Sequence, residues 1–522
     1  MEQKRAVCSS KQTGGEPIVA KLDYEVSKLP LFSVDMSRDE FGDDTFIENG
    51  VTEYAIDPFS GNGVAYVRQR PAFEVANVLT NTAGVYQHSY YPYYALGAVV
   101  YHQEDGGGAT TVWTGTNSTD IKSKFTLMRD TQNDRDQIIY VEGSTGKLVS
   151  IDKSTKVATV QTAVPTVIPH VASLDGYLFA AKIDTDEIYN SDLNDVSTWT
   201  VGTNFIKSLS EPGNITALTT YKNYIVAFKA KSMEFFYNAG LTGTSPLQRN
   251  DSLRTSVGCE YPFTIVNGED TLYWVGRGVG GLSPSVYMMV GDSMQKISPP
   301  SIDRQLQSSF VSYDKNGLYR AFLCKESGHT YYVIRADDGS NIRYLAYNIE
   351  NKQWGYWTYN AGTDLEIYDV FDPPEENSDG PYFYWYNSGG NATYLGKFSI
   401  PNAQYDSYLS TNYPIITLVE TPQIDFGTVR RKVLSLLRLI GSIHATYNVR
   451  VRWTDDDTNW SNWHGVSLGQ NPVIRNLGQF RRRRFQFEFV NVTIADPDTR
   501  LTTLPANLRF EGIEAEYRIG AN

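Results

Sequence analysis

A repeated unit of strand, turn and strand is the feature that most restricts the fold of this 522-residue chain. Residues 219–303 hold two such units in succession. A turn at Lys231 and Ser232 joins the first pair of strands, and a glycine-rich loop at 276–281 joins the second pair. Short runs rich in aromatic and β-branched residues, bounded by Gly, Asn and Asp, indicate β-hairpins rather than βαβ crossovers.

The same unit recurs along the central part of the chain at a nearly constant interval. We take one residue as a marker of the first strand in each unit: Ile138, Tyr177, Tyr224, Leu272 and Leu318. The markers are about 39, 47, 48 and 46 residues apart, and a four-stranded propeller blade occupies roughly 40 to 50 residues. The sequence therefore predicts an all-β fold, an irregular β-propeller of meander blades with few helices.

Composition divides the chain into three predicted parts. Residues 1–60 have weak periodicity and many charges, which indicates an N-terminal arm or irregular lead-in without strands. Residues 61–412 form the expected propeller-like body. Residues 413–522 show alternating strands and are predicted to form a separate C-terminal β-sandwich domain. Within this last part the run 429–440 has a helix-like pattern, but the strands around it favour a strand pair.

The net charge of -13 is unevenly distributed along the chain. Residues 1–414 carry a formal charge of about -16, and residues 415–522 carry about +3. Because nucleic-acid binding depends on neutralising phosphates, the body is expected to repel nucleic acid on average.

The cysteine count and the N-terminal residues indicate the cellular compartment in which the protein is synthesised. Cys8, Cys259 and Cys324 are too few and too scattered for a disulfide framework. The first residues are charged and polar without a following apolar run, so no signal peptide is expected. No window approaches the roughly 20 apolar residues that a membrane helix needs. We therefore expect a soluble protein that is synthesised in a cytoplasm and does not insert into a membrane.

Two glycine-rich motifs resemble nucleotide-binding patterns but lack the required context. The glycines at 276–281 follow a strand, yet Pro284 and another strand come next, where a dinucleotide site needs a helix. The run 143–147 lacks the spacing of a phosphate-binding loop. Both are predicted to be turns, and no cofactor is expected.

No residue pattern points to catalysis or to a metal. The six histidines are scattered, without a helical pair for zinc, although residues distant in sequence could still meet as a triad. The acidic runs 372–379 and 455–457 are predicted to be solvated loops. The segment 452–460 resembles a degenerate Asp-box turn of sialidase propellers, which is structural in that family. The sequence therefore predicts no enzyme, with no catalytic, cofactor-binding or metal-binding residues.

The strongest charge feature is a run of four arginines: Arg481, Arg482, Arg483 and Arg484. Successive side chains of a strand point to opposite faces, so two of the four would share each face. One interpretation is a solvated edge that resists aberrant strand pairing. The other is a contact site for an acidic partner or for phosphate.

Several segments together resemble the tail nozzle proteins of short-tailed bacteriophages, also described as packaged-DNA stabilisation proteins or tail hub accessory proteins. The resemblance is carried mainly by 232–240, 256–258, 270–276, 286–287 and 296–303. An earlier element at 68–73 is similar to the Arg-Pro-Gly element of that family, with Ala72 in place of the glycine.

The resemblance implies a virion structural protein, located at the distal end of the tail. Such proteins form a homo-oligomeric ring, commonly a hexamer, that extends the DNA channel and helps to retain packaged DNA. It also implies contacts with adaptor or portal proteins and with tail fibre or needle proteins, while DNA passes without sequence-specific binding. We further expect acidic side chains to line the channel. The alternative is a propeller that binds or degrades glycans, which predicts paired carboxylates about 5 to 10 Å apart in a cleft.

Overall fold

The computed structural model describes most of the chain and forms two compact units. Pro71–Tyr413 is called the propeller unit below, and Met1–Arg70 together with Pro414–Asn522 is called the sandwich unit. The described residues are 25–30, 46–56, 63–80, 86–90, 93–96, 98–103, 109–116, 124–130, 135–143, 145–268, 270–278, 283–312, 319–326, 328–337, 342–359, 365–371, 382–387, 392–399, 405–408, 411–468, 472–491 and 508–519.

Nearly all of the elements in these ranges are β-strands. The strands before the propeller are β1 (Glu25–Pro30), β2 (Phe46–Glu48), β3 (Gly50–Ile56) and β4 (Gly63–Gln69). The first propeller strands are β5 (Ala72–Thr80), β6 (Tyr86–Tyr90), β7 (Tyr93–Leu96), β8 (Val99–Gln103), β9 (Ala109–Thr114), β10 (Lys124–Asp130), β11 (Arg135–Glu142), β12 (Lys147–Asp152), β13 (Ala158–Val160), β14 (Ala172–Leu174), β15 (Tyr177–Ala181), β16 (Glu187–Asn190) and β17 (Phe205–Lys207).

The middle of the propeller unit also contains its helical segments, a 3-10 helix at Pro262–Thr264 and α1 (Pro300–Ser312). Its strands are β18 (Ile215–Tyr221), β19 (Tyr224–Lys229), β20 (Met233–Asn238), β21 (Leu247–Thr255), β22 (Val257–Gly258), β23 (Val266–Asn267), β24 (Thr271–Gly278), β25 (Ser285–Val290) and β26 (Ser293–Lys296). The remaining propeller strands are β27 (Ala321–Glu326), β28 (His329–Asp337), β29 (Ile342–Asn348), β30 (Gln353–Trp357), β31 (Glu366–Phe371), β32 (Tyr382–Asn387), β33 (Ala392–Ser399), β34 (Tyr405–Tyr408) and β35 (Thr411–Pro414).

The C-terminal strands complete the sandwich unit. They are β36 (Ile416–Glu420), β37 (Lys432–Ile443), β38 (Tyr447–Thr454), β39 (His464–Val466), β40 (Val473–Arg475), β41 (Gln479–Phe480), β42 (Arg484–Asn491) and β43 (Leu508–Ile519). Among the described residues, no helix is both long and apolar enough to cross a membrane.

In the described residues, the propeller unit contains seven sheets that follow one another along the chain as blades. They are blade 1 (β6–β9), blade 2 (β10–β13), blade 3 (β14–β17), blade 4 (β18–β21), blade 5 (β22–β26), blade 6 (β27–β30) and blade 7 (β31–β33 with β5, β34 and β35). The strands of blades 1–4 are joined as antiparallel meanders.

Contacts between strands close these blades into a ring. β6, β10, β14, β18, β23, β27 and β31 each contact the next in this series, and β31 contacts β6 again. These strands therefore surround the propeller axis. Strand β5, from the start of the unit, pairs with β33 of blade 7, so the two ends of the unit share one sheet. Closure of this kind leaves only short, protected sheet edges. The predicted β-propeller is confirmed.

The marker residues lie one strand later than expected. Ile138, Tyr177 and Tyr224 belong to β11, β15 and β19, which are the second strands of blades 2–4. These strands are buried along almost their whole length, so they give the strongest apolar signal in the sequence. The first strands are short or partly exposed and give a weaker signal. Leu318 lies outside the described residues.

The sandwich unit contains two sheets that enclose one core. The first has the order β3-β4-β43-β37-β40, with β1 also on β43 and β41 also on β37. Within this unit the second has the order β2-β36-β42-β38-β39. Buried side chains of both sheets form one hydrophobic cluster, including Val67 and Leu437 from the first sheet and Val449 and Phe487 from the second. The predicted β-sandwich is confirmed.

The expected N-terminal arm is not supported in its described parts. Residues 25–30, 46–48 and 50–56 are strands, and they belong to the sandwich rather than to a separate segment. Phe46 pairs with Glu420, far along the chain. These strands were missed because their partners are remote in sequence, so no local hairpin pattern marks them.

The expected strand pair at 429–440 is instead one long strand, β37. Register shifts between Leu434 and Leu436, and between Ile440 and Gly441, interrupt its alternation. Such bulges explain why the run has a helix-like pattern. Gly441 has a φ of 137°, and a Cβ there would lie 2.0 Å from the Arg509 carbonyl oxygen, so a larger residue does not fit.

Candidate interaction surfaces

The residues that carry the phage resemblance have structural tasks in blades 4 and 5. Gly258 packs against the turn between β19 and β20, where an added Cβ would lie 2.1 Å from the Lys229 carbonyl oxygen and 2.4 Å from the Ser232 nitrogen. The next residue, Cys259, donates its backbone N–H to the same Lys229 oxygen at 2.8 Å. Glycine is therefore required for the chain to approach the turn.

A buried charge pair joins the strands on either side of this turn. Lys229 and Glu234 are 3% and 1% exposed, and their charged atoms are 3.9 Å apart. Lys229 Nζ also donates to the Ser208 carbonyl oxygen at 2.7 Å, while Glu234 accepts the Ser210 N–H at 3.1 Å. Burial lowers the pKa of Lys229, and the neighbouring Glu234 opposes this shift. The pair fixes the loop before blade 4 onto the blade.

The segment 296–303 starts helix α1. Ser298 Oγ accepts the Val286 N–H at 2.8 Å and donates to Asp303 at 2.5 Å, and Lys296 forms an ion pair with Asp303 at 2.5 Å. An acidic side chain in the first turn of a helix is favoured by the helix dipole. These residues tie the helix to blade 5, which is again a structural role.

One of the two glycine-rich motifs is a turn, as predicted, and of the other the structure describes the flanking strands. Gly276 and Gly278 belong to β24, where Gly276 pairs with Ser285 of β25, and residues 279–282 lie outside the described residues. The run at 143–147 connects β11 to β12, with Gly146 at a φ of 64°.

Two clefts in the propeller unit meet at Phe263, in the 3-10 helix. One has a volume of about 230 Å³ and is bounded by residues that include His170, Glu260 and Tyr319. The other, of about 280 Å³, includes Lys124 and Arg320. The second cleft is formed by β10, β23, β27 and β31, and therefore lies at the propeller axis.

The two clefts combine aromatic rings with cationic side chains. Phe263 contacts the His170 ring at 4.7 Å and the Arg320 guanidinium carbon at 4.7 Å. Thr216, in the first cleft, donates its hydroxyl to the Cys259 carbonyl oxygen at 2.7 Å. His170, Phe263 and Arg320 are scattered in sequence and only the blade arrangement brings them together, so no sequence signal could have identified them.

The cysteines and histidines do not form a recognisable reactive centre in the described residues. Cys259 and Cys324 are buried free thiols, and burial raises the pKa of the Cys259 thiol to about 12. A thiol in this state is a poor nucleophile. Within the described ranges, no group of three or more His, Cys, Asp or Glu side chains is placed to hold a metal ion.

The acidic run 455–457 lies in a turn, and Asp455 and Asp457 form ion pairs. Asp456 accepts the backbone N–H groups of Thr458 and Asn459 at 3.0 and 2.7 Å. The hydrogen bonds from Asn459 and Thr458 hold the pKa of Asp456 well below its usual range. The run 372–379 lies outside the described residues.

The four arginines of the run 481–484 occupy different environments. Arg483 is buried and binds Asp455 through two contacts of 2.6 and 2.9 Å, with its guanidinium 4.5 Å from the Phe480 ring. Arg484 pairs with Glu420 at 2.9 Å and with Asp457 at 3.0 Å. Arg481 and Arg482 are exposed in the bend before β42. Two of the four thus have structural roles, and two remain available for a partner.

A surface of stacked arginine and tryptophan side chains, which the sequence did not reveal, lies on the β38–β39 edge of the sandwich, where Arg450 is also paired with Glu488. The Arg452 guanidinium carbon lies 4.8 Å from the Trp460 ring and 4.6 Å from the Trp463 ring. Arg450 covers Trp463 at 4.7 Å. The alternation of Arg450 and Arg452 with apolar residues in β38 was visible in the sequence, but their tryptophan partners follow a turn.

The fold defines the class of the protein: a seven-bladed β-propeller, counted over the described residues, joined to a β-sandwich. A family model described as "Phage_stabilise: Bacteriophage P22 Gp10, beta-propeller" matches residues 54–364, which is more than half of the chain. The chain therefore belongs to this bacteriophage family. The match confirms the resemblance to phage nozzle and stabilisation proteins.

Comparison with other proteins adds distant likenesses. No curated protein matches the sequence. The WD40 beta propeller domain of Doa1 is 9% identical, with a TM-score of 0.37 and coverage of 62% of this chain and 97% of that one. U3-55K is 8% identical, with a TM-score of 0.39 and coverage of 63% of this chain and 99% of that one. The family assignment thus depends on the family match and not on these structures.

Proposed function

We propose that this protein is a virion structural component that forms a ring-shaped nozzle at the distal end of a short phage tail. In this role it extends the DNA channel and helps to retain packaged DNA. The observation that carries the proposal is the match of residues 54–364 to the phage stabilisation family. The structural tasks of Gly258, Glu234 and Asp303 support it, because the residues that carry the resemblance build the propeller.

The proposal includes a closed ring of identical subunits, a hexamer in the related proteins. It also includes contacts with adaptor or portal proteins on one side and with fibre or needle proteins on the other. A heterologous interface that closes on itself generates such a ring. The chain is not proposed to catalyse a reaction.

Charge supports a passive role towards DNA. The propeller unit contains 36 Asp and Glu residues but only 24 Lys and Arg residues, and its formal charge is -12. A wall of this sign repels phosphates, so DNA would slide past it without adhering. We propose that acidic side chains line the channel of the assembled ring; a basic channel wall in that assembly would refute this part of the proposal.

Particles assembled without this protein provide the direct test. We expect tails that are shorter at the tip and heads that lose their DNA, measured by electron microscopy and by nuclease sensitivity of the genome. Addition of the purified protein should restore both the tip and the nuclease resistance. Particles that keep an intact tip and a protected genome without the protein would overturn the proposal.

The same preparation separates the nozzle from the glycan alternative. Purified protein is mixed with polysaccharide from the host surface, and both hydrolysis and binding are measured. The nozzle proposal predicts neither. Hydrolysis, or specific binding of the polysaccharide, would support the alternative function instead.

A further inference from the structure

Four exposed arginines meet at one edge of the sandwich unit, although they come from two separate parts of the sequence. Strand pairing sets Lys432 opposite Phe480, and a bridge sets Ile424 opposite Arg483. The loop 425–431 and the bend at 481–482 therefore both run between the same two residue pairs, Ile424 with Arg483 and Lys432 with Phe480. This places Arg430 and Arg431 beside Arg481 and Arg482, and the four residues are called the arginine edge below.

The loop 425–431, which carries Arg430 and Arg431, is held in place by contacts with Lys432 and Asp425. Lys432 is buried, lies 5.6 Å over the Phe480 ring, and donates to the carbonyl oxygens of Thr428 and Arg430. Asp425 accepts the Gly427 N–H at 2.8 Å and tightens the start of the loop. The arginine edge is thus presented by a fixed backbone.

The acidic groups nearest in the sheet are already paired with other residues, and Asp425, in the loop itself, accepts the Gly427 N–H. Asp455 binds Arg483, while Asp457 and Glu420 both bind Arg484. In contrast, the side chains of the arginine edge form no hydrogen bond or ion pair with any described residue. The edge is therefore a concentrated positive charge on a protein of net charge -13.

Physical chemistry restricts what this edge can bind. Like charges placed opposite one another are destabilising, so two copies cannot join edge to edge about a two-fold axis. Contact with another copy through this edge must be heterologous, and heterologous contacts generate rings when they close. Arginine forks match carboxylates in two-point contacts. The propeller unit, with 36 acidic and 24 basic residues, supplies a surface of the opposite sign.

We infer that the arginine edge, Arg430, Arg431, Arg481 and Arg482, docks on acidic side chains of the propeller unit of a second copy and forms one half of the subunit interface. This inference rests on the ring that is part of the proposed function. A DNA phosphate backbone is the competing occupant. The overall negative charge of the chain opposes it, since a polyanion must approach against the field of the propeller.

The test compares self-association of the full-length protein with that of the variant R430Q/R431Q/R481Q/R482Q. Sedimentation velocity is measured over a range of protein concentrations at about 50 mM and about 500 mM salt, since salt screens exposed charges. We expect the wild type to associate more strongly at low salt. The variant should raise the apparent dissociation constant on the order of tenfold or more, because it removes several exposed ion pairs.

A matched variant controls for net charge. R254Q/R304Q/R343Q/K352Q removes four exposed positive charges from the propeller unit instead. It should associate as strongly as the wild type, or more strongly, because it makes the acidic surface more negative. The half variants R430Q/R431Q and R481Q/R482Q, each checked for an unchanged melting curve, should show intermediate losses.

The outcomes separate the inference from the proposed function. Equal association of the wild type and the arginine-edge variant, both forming rings, would overturn the inference and leave the nozzle in place. A wild type that stays monomeric at both salt concentrations would also overturn the inference, while a ring built only on an existing tail would remain possible. If the arginine-edge variant loses binding to a short DNA duplex but self-associates like the wild type, the edge binds phosphates. This result would overturn the inference as well.

Discussion

The propeller unit and the sandwich unit differ in the distance, along the chain, between the strands that they pair. In blades 1–4 each strand pairs with its neighbours in sequence. In the sandwich, β4 pairs with β43, and Asn49 Nδ2 donates to the Ile416 carbonyl oxygen at 3.0 Å across 367 residues. The comparison teaches that local pairing leaves a readable period in the sequence, whereas remote pairing leaves none.

The two units also use buried cations differently. In the propeller, Lys229 and Glu234 are both buried. In the sandwich, Arg483 is buried but its partner Asp455 is 46% exposed. Each cation also binds backbone carbonyl oxygens of a loop, those of Ser208 and Leu477 respectively. If the carboxylate is removed, water can therefore reach the cation in the sandwich but not in the propeller.

The largest expected effect separates the units as fragments. Residues 71–413 expressed alone should fold, because every blade strand in the described residues lies within that segment except for the last residue of β35. Residues 414–522 alone should remain unfolded, since they lack β2, β3 and β4 and the core side chains Ile47 and Val67. Thermal melting followed by circular dichroism checks both fragments.

A fusion of residues 25–70 to 414–522 through a flexible linker serves as the control for this prediction. It should regain a cooperative melting transition. A sharp transition for 414–522 without the N-terminal strands would contradict the remote pairing on which the comparison depends.

A glycine pair within the propeller tests the close approach at blade 5. Gly258→Ala places a Cβ within 2.1 Å of a backbone oxygen and should lower the free energy of unfolding by on the order of 4 kcal/mol. Gly202→Ala meets nothing within 4 Å and should change it by less than about 0.5 kcal/mol. Urea unfolding of both variants gives the difference, and equal midpoints would show that the turn can move aside.

The buried charge pairs are compared by removing one carboxylate from each unit. Glu234→Gln leaves Lys229 charged and buried, and should destabilise the propeller by about 3 kcal/mol. Asp455→Asn removes the charge of a carboxylate that is 46% exposed, where water can take its place beside Arg483, and should cost about 1 kcal/mol. Urea unfolding measures both changes. A larger loss for Asp455→Asn would reverse the comparison.

A pH-dependent effect, smaller per group than the loss expected for Glu234→Gln, arises from tyrosines at alkaline pH. Burial raises the pKa of Tyr94 and Tyr347, both in the propeller, to about 12 from a usual value of 10.0. The unfolded tyrosines ionise first, so the stability present below pH 10 is lost as the pH rises from about 10 towards 12. Each group contributes on the order of 2 kcal/mol.

Urea unfolding at a series of pH values, with tyrosinate absorbance as a second signal, measures this loss. Tyr347→Phe removes one of the titrating groups and should flatten the alkaline decline. An unchanged slope in that variant would mean that other groups control alkaline unfolding.

Much of the fold was predictable from the sequence, but less of the candidate surfaces was. The hairpin around Lys231 was evident because its turn residues and strands are adjacent. The sequence singled out Arg481 and Arg482 but not Arg430 and Arg431, because only the β37–β41 pairing unites them. It also treated Arg483 as equivalent to its neighbours, although burial against Phe480 gives it a separate role.

By itself the sequence determined the all-β class, the blade period and the change of character near residue 413. These properties follow from residue types and turn chemistry over short distances, which act before any tertiary contact forms. Only the tertiary structure decided that residues 25–30 and 46–56 join the C-terminal sandwich, that β5 closes the ring, and that four arginines form one edge. Each of these depends on pairing between segments far apart in the chain, and no local pattern of residues encodes such a partner.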